Sequence, residues 1–308
     1  MSMIQILGAV QIGLIYGIVA IGVYLSFRVL DFPDLSVDGT FPMGAAISGI
    51  MIINGHDPLV ATGFAMVGGA LAGIFTAWLN VQWGILNLLA SILTSIGLYS
   101  LNLRIMGNRP NIAILNESTL ITSVEDLFRG MGLEMTNMNM TILFLFIVVT
   151  LITLLTYVFL STQTGLAMRA TGKNPRMATA QGIRTGSMVV LGIALSNAIV
   201  ALAGALFTQI QGFADVTMGV GTIIVGLAAV LIGEAIFSAK SLLIAISACV
   251  VGSIIYRELV ALALNADFIG LQASDLQLVT ALLVAVAMML SHGRKRLNAM
   301  FSRKGRAS

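Results

Sequence analysis

Charge is scarce in this chain of 308 residues: 9% are Asp, Glu, Lys or Arg, where a soluble domain carries about 25%. That shortage excludes an ordinary soluble protein. With 58% hydrophobic residues and a mean hydropathy of +0.99, the chain reads as an all-α, polytopic membrane protein. One cysteine, Cys249, lies in an apolar run, so no disulfide can form within the chain, and the redox compartment is not legible. Two histidines and one cysteine supply no metal cluster, and there is no HExxH and no GxSxG elbow. Nor is there a phosphate-binding loop. Ala167–Asn174 comes closest, but Ala167 stands for the first glycine and Asn174 for the Ser or Thr that would hold magnesium. The energy for any transport therefore comes from a partner or an ion gradient. No basic stretch precedes the first apolar run and no small-residue cleavage site follows it, which predicts a first span rather than a signal peptide. The net charge of +3 is no nucleic-acid signature, because its placement has another explanation.

A span needs about 20 apolar residues. Nine stretches qualify in whole or in part: Ile4–Phe27, Thr40–Asn54, Leu59–Leu79, Ile85–Leu103, Met140–Leu160, Ser187–Ile210, Thr222–Phe237, Leu242–Leu264 and Leu276–Ser291. The second and seventh are short. Residues 1–291 thus form one membrane domain, with halves near 1–139 and 140–291, and residues 292–308 form a basic tail. Basic residues mark the inner side. If the segment after the fifth span is cytoplasmic, that side holds Arg28, Arg169, Lys173, Arg176, Arg184, Lys240, Arg294, Lys295, Arg296, Arg303, Lys304 and Arg306, twelve of the sixteen. Arg104, Arg109, Arg129 and Arg257 fall on the other side, which places the C-terminus inside and Met1 outside.

That segment, 165–184, is a basic interruption between apolar runs. Asn174 followed by Pro175 is a helix-start signal, an N-cap side chain and then a residue whose missing N–H costs nothing at the first helical position. Gly182 is a natural stop. The pattern predicts a short surface helix over about Pro175–Gln181; an ordinary basic loop is the competing reading. So short a helix is unstable alone and needs a surface to dock on.

The chain also repeats itself. Phe32-Pro-Asp-Leu-Ser, then Gly39-Thr40 and Gly44, matches Phe213-Ala-Asp-Val-Thr, then Gly221-Thr222 and Gly226, with the offset moving from 181 to 182 residues. Five crossings between equivalent points make the halves inverted in topology. Paired short, Gly/Pro-interrupted segments in such a repeat point to a transport path at their interface. Asp34, Ser36 and Asp38 in the first copy, and Asp215 and Thr217 in the second, are its candidate polar lining. In the first copy Thr40 is expected to cap a short helix whose first turn tolerates Pro42, while residues 31–39 dip into the membrane region.

On the fourth span Asn87, Ser91, Thr94, Ser95 and Asn102 share one helix face. They either adhere helices to each other, at modest energy, or line the path. Residues 104–139 form a long outer segment of mixed charge, functional or unstructured. The spacings Gly13/Gly17 and Gly69/Gly73 fit close helix packing. Glu234 reads as a paired surface group or part of a gate. Gln209, Gln211 and Asp215 either frame an outer mouth or are wetted by solvent.

Arg169–Ile183 (RATGKNPRMATAQGI) resembles the coupling segment of permease subunits from bacterial ABC importers of the branched-chain amino acid and simple sugar group. Ser26–Ala45 and Thr94-Ser95-Ile96-Gly97-Leu98 extend the likeness. The resemblance implies a type II ABC importer-like fold and a coupling role for Arg169, Gly172, Asn174, Pro175, Arg176, Ala178 and Gly182. It implies a separate ATPase subunit that binds ATP and Mg, with no cofactor in this chain. It also implies a periplasmic or lipid-anchored substrate-binding protein, for which Arg109 and Arg129 are candidate docking residues, and a second permease copy, giving a homodimer or a pair of paralogues. It further implies the bacterial inner membrane as the setting and a small polar solute: an amino acid, sugar or nucleoside. Asp31-Phe32 and Asp38-Gly39 stand where the family has Asn-Phe and His-Gly, so its usual substrate does not transfer directly.

The competing functions are an ion-coupled secondary transporter and a non-transporting scaffold. The first normally places ionisable groups at membrane depth. Apart from a dipping Asp34 or Asp38, every acidic residue is expected at a span end or in a loop. Orientation is directly testable: an impermeant reagent is expected to label a tag at Met1 in intact cells and a C-terminal tag only after permeabilisation. The reverse pattern overturns the basic-residue count.

Overall fold

The computed structural model describes residues 3–115, 117–130, 136–237 and 241–264, with positions 281, 282 and 285, and the side chains of 126–130 lie outside that description. Eleven α-helices and two three-residue strands are described. Helix α1 (Met3–Val23) runs on through a π-helical segment, Tyr24–Val29. Then come α2 (Val37–Ile53), α3 (Pro58–Trp83), α4 (Asn87–Ile105), β1 (Asn111–Ala113), α5 (Leu120–Gly130) and α6 (Asn137–Ser161). The second half has α7 (Gln163–Lys173), α8 (Pro175–Ala180), α9 (Thr185–Gln211), β2 (Phe213–Asp215), α10 (Thr222–Ile236) and α11 (Leu242–Leu264).

Six of these helices are long and apolar enough to span, and α2 and α10 are the two shorter apolar helices. Seventeen residues in α2 give roughly 25 Å against a hydrocarbon core of about 30 Å. The ninth expected stretch, Leu276–Ser291, lies outside the described residues except at three positions, as does the basic tail.

Helix α9 is the hub. It is the most enclosed of the spans and packs against α1, α2 and α3. The outward faces of α3, α4 and α6 instead expose Phe64, Leu71, Trp78, Leu93, Phe146, Ile147, Leu151 and Leu155, an apolar surface suited to the membrane interior. Small residues set the spacing at the hub. A Cβ at Gly44 would overlap the Ala201 carbonyl oxygen, and one at Gly204 would overlap that of Phe41, so α2 and α9 cross backbone to backbone. The expected glycine pairs act in the same way: Gly13 and Gly17 lie against Ile254 and Val250 of α11, Gly69 and Gly73 against Asn197 and Ile193 of α9.

Several expectations change. Helix α2 begins four residues early, so Thr40 is interior and Ser36 holds the N-cap position. Pro42 then lies inside the helix and offers no N–H to the Asp38 carbonyl. Gly219 lies so close to that oxygen that a Cβ there would overlap it. The outer segment 104–139 is structured in large part. Ile112 pairs with Ala214 in an antiparallel β1–β2 ladder, and α5 follows. The segment before Asn174 is helix α7, not loop.

Valine at Gly44 or Gly204 should abolish the monodisperse peak of detergent-extracted protein on fluorescence-detected size exclusion. Valine at Gly63, whose Cβ would meet nothing within 4 Å, should leave the peak intact.

Candidate functional site

The break between α1 and α2 is held by one buried network. After the π-helical segment the chain turns through Asp31 at φ +54°, and Phe32 donates its N–H to the Ser26 carbonyl at 2.9 Å. Asp34 is 1% exposed. Its Oδ1 accepts from the Ser36 N–H at 2.9 Å and the Ser36 hydroxyl at 2.5 Å, and its Oδ2 accepts from Asn197 Nδ2 at 2.7 Å. Asn197 Oδ1 in turn accepts from the Thr40 hydroxyl at 2.8 Å. An enclosed carboxylate is tolerable only with such a set of donors. Asp34 and Ser36 are thus enclosed between the linker and α9. Asn197, the residue that organises them, was not legible as such in the sequence; an asparagine inside an apolar 27-residue helix was the available signal.

The second copy of the motif makes the same turn in the open. Asp215 Oδ1 accepts from the Thr217 N–H at 2.7 Å and hydroxyl at 2.5 Å, and Asn111 donates to Oδ2 at 3.3 Å. Partial burial would raise the Asp215 pKa, but these hydrogen bonds outweigh it and hold the carboxyl below its usual range. The matching turns support the internal repeat.

Asp38 joins the two copies. Its carboxylate accepts from the N–H groups of Ile223 at 2.8 Å and Gly221 at 3.4 Å, capping α10 from the first turn of α2. Beside it a cavity of about 550 Å³ is lined by Tyr16, Asp38, Thr217, Gly221, Thr222 and Arg257, among others. Asp38 and Thr217, one from each copy, therefore line the same cavity. Asp34 and Ser36 do not line it, and neither does the stripe on α4. There Ser91 and Thr94 bond their own backbone through Leu88 and Ala90, Asn87 accepts from Asn80 at 2.6 Å, and Asn102 donates to the Gly39 carbonyl at 3.0 Å. Asn87 and Asn102 thus bond neighbouring helices, while Ser91 and Thr94 bond only their own. Gln209 is likewise enclosed, with Nε2 donating to Ser48 and Thr62 and Oε1 accepting from the Leu120 N–H. Arg257 and Glu258 correct the expectation that span interiors hold no ionisable group, because both sit within α11.

At the other end of α1 lies the basic segment. Thr162 caps α7, and Asn174 Oδ1 accepts from the Met177 N–H at 3.0 Å to cap α8, as the Asn-Pro pair required. Gly182 follows at φ +81°. Ala178 is buried, while Pro175, Arg176 and Met177 are exposed, so α8 presents a free face. Helix α7 meets α1 backbone to backbone: a Cβ on Gly172 would overlap the Val29 carbonyl oxygen. Arg169 and Lys173 line a cavity of about 250 Å³ with Arg28, Tyr24 and Ser241. Arg28 also pairs with both carboxylate oxygens of Glu234, tying the π-helical end of α1 to α10. Arg109 is exposed beyond α4, and the side chain of Arg129 lies outside the described residues.

Residues 5–291 match the family model described as "Branched-chain amino acid transport system / permease component". The chain is 38% identical to a protein of Clostridioides difficile (strain R20291) named "Tyrosine transport system permease protein", over 88% of this chain and 86% of that one. It is 31% identical to an uncharacterized protein of Rickettsia prowazekii (strain Madrid E), over 87% of this chain and 91% of that one. Among solved structures it resembles "PsaBC from Streptococcus pneumoniae in complex with Fab", with a TM-score of 0.50 and 19% identity, covering 91% of this chain and 89% of that one. At that identity the likeness is one of fold. By family model and relatives together, the chain belongs to the permease components of branched-chain amino acid transport systems.

Proposed function

We propose that this permease passes an amino acid, of the aromatic or branched-chain class, from a substrate-binding protein to the cytoplasm, driven by a separate ATPase through α8. The observation that carries the reading is mechanical. A capped two-turn helix with an exposed face is joined, through the Gly172–Val29 backbone contact, to the helix whose end leads into the broken segment and the cavity. ATP binding and closure of the partner ATPase move α8 and α7 together. Because α7 has no side chain between it and Val29, the displacement enters the π-helical end of α1 directly. From there it reaches the linker at Asp34, and through Asp38 it reaches α10. Tyrosine or a related side chain is the favoured cargo, since the relative at 38% identity carries that name.

The rest of the assembly follows from one coupling segment per chain: two permease copies, identical or closely paralogous, with two ATPase subunits. It sits in the bacterial inner membrane with the α7–α8 end in the cytoplasm. Arg109 and Arg129 are the proposed docking residues for the binding protein, since guanidinium groups can take its carboxylates bidentately. ATP and Mg are bound by the ATPase subunit, not by this chain.

Arg176→Glu reverses the charge on the exposed face of α8. Ala178→Pro removes the Ala178 N–H bond to the Asn174 carbonyl, a loss that in a helix interior costs about 3 kcal/mol. In complexes that still co-purify with the ATPase subunit, either change should lower uptake at least tenfold and reduce binding-protein-stimulated ATP hydrolysis to its basal rate. Uptake that persists without an ATPase subunit and collapses with a protonophore would instead establish ion coupling.

A further inference from the structure

Arg257 presents a problem that the coupling scheme does not solve. It lies in the apolar helix α11, yet among the described residues no carboxylate comes within ion-pair distance of it, and its Nε is enclosed without a hydrogen-bond partner. A cation in a spanning helix normally has a named counter-charge, and leaving it unmatched costs free energy. Its guanidinium lies over the Tyr16 ring, 4.1 Å from the centroid, which fixes its position without neutralising it.

The group borders the cavity of about 550 Å³. Asp38 and the hydroxyl-bearing Thr217 and Thr222 line the same space, and Met218, Val220, Ile224 and Val225 make much of its lining apolar. One cation, one carboxylate and an aromatic ring around a mostly apolar space fit the groups of a zwitterionic amino acid with a large side chain. We propose that this cavity is a waypoint for the transported amino acid, whose α-carboxylate binds the Arg257 guanidinium and whose ammonium group faces Asp38. The N–H groups of Gly221 and Ile223, at the start of α10, already occupy part of the Asp38 carboxylate, so Arg257 is the stronger anchor. The site rests on the importer reading, and it lies roughly 20 Å along α1 from the Val29 contact, thirteen residues from Tyr16. The ligand is thus held well away from the coupling segment.

The test uses the full complex of permease, ATPase and binding protein, in proteoliposomes and in detergent. Arg257→Gln should lower L-tyrosine uptake at least tenfold while co-purification of the ATPase subunit and binding-protein-stimulated ATP hydrolysis persist, and Arg257→Lys should recover part of the uptake. A second measurement does not alter Arg257. Cys249 is buried, so Thr217→Cys supplies the accessible thiol of the described residues. Its labelling by a maleimide should slow at least threefold with L-tyrosine or L-phenylalanine and not with tyramine, which lacks the carboxylate. Equal protection by tyramine, or wild-type uptake in Arg257→Gln, overturns the site while leaving ATP-driven import in place. A wild-type complex that hydrolyses ATP but imports no amino acid overturns the importer reading and the site with it.

Discussion

A carboxylate enclosed between a non-helical linker and α9 fixes where this membrane protein can break its helices. Backbone that leaves the helical state at membrane depth must be satisfied by protein, and Asp34 is how the linker between α1 and α2 meets that requirement. It collects the Ser36 N–H, the Ser36 hydroxyl and the Asn197 amide. Asn197 extends the bond to Thr40 in the second turn of α2. With the linker pinned to α9, the chain can end α1 in a π-helical segment and start α2 at a fixed angle. The backbone crossing of Gly44 and Gly204 then holds that angle.

Everything that looks functional lies on one side or the other of this anchor. Upstream, Val29 receives α7 through Gly172, and Arg28 reaches across to Glu234 on α10. Downstream, Asp38 caps α10 and borders the cavity shared with Arg257. The Arg28–Glu234 pair and the Asp38 cap thus grip α10 near its two ends from the same stretch of chain. A displacement that arrives at Val29 has two bonded routes to α10, through Arg28 and through Asp38. This is the geometric sense in which the two copies of the repeat act as one device.

Much of the fold was legible because its signals are local. Apolar runs longer than a bilayer core marked the spans, and Asn174-Pro175 with Gly182 bracketed α8 to within a residue. The repeat showed because Asp34/Ser36 and Asp215/Thr217 make the same two-residue turn, which needs the same residue types. What stayed hidden depends on distant partners. Asn197 is one asparagine in an apolar run until Asp34 is brought to it across the fold. The stripe on α4 was ambiguous because Ser and Thr look alike whether they face a path or bond their own carbonyls. Strands β1 and β2 are three residues each, too short for an alternating pattern, and α7 was obscured by the same basic residues that marked the segment as surface.

The most direct test concerns the contact between α7 and α1. Valine at Gly172 forces the two backbones apart at the Val29 carbonyl while leaving the exposed face of α8 untouched. If force enters the membrane through that contact, the assembled Gly172→Val complex will hydrolyse ATP at its basal rate, show no stimulation by loaded binding protein and import nothing. Wild-type stimulation and uptake in that complex would mean that the work of ATP reaches the membrane by another route.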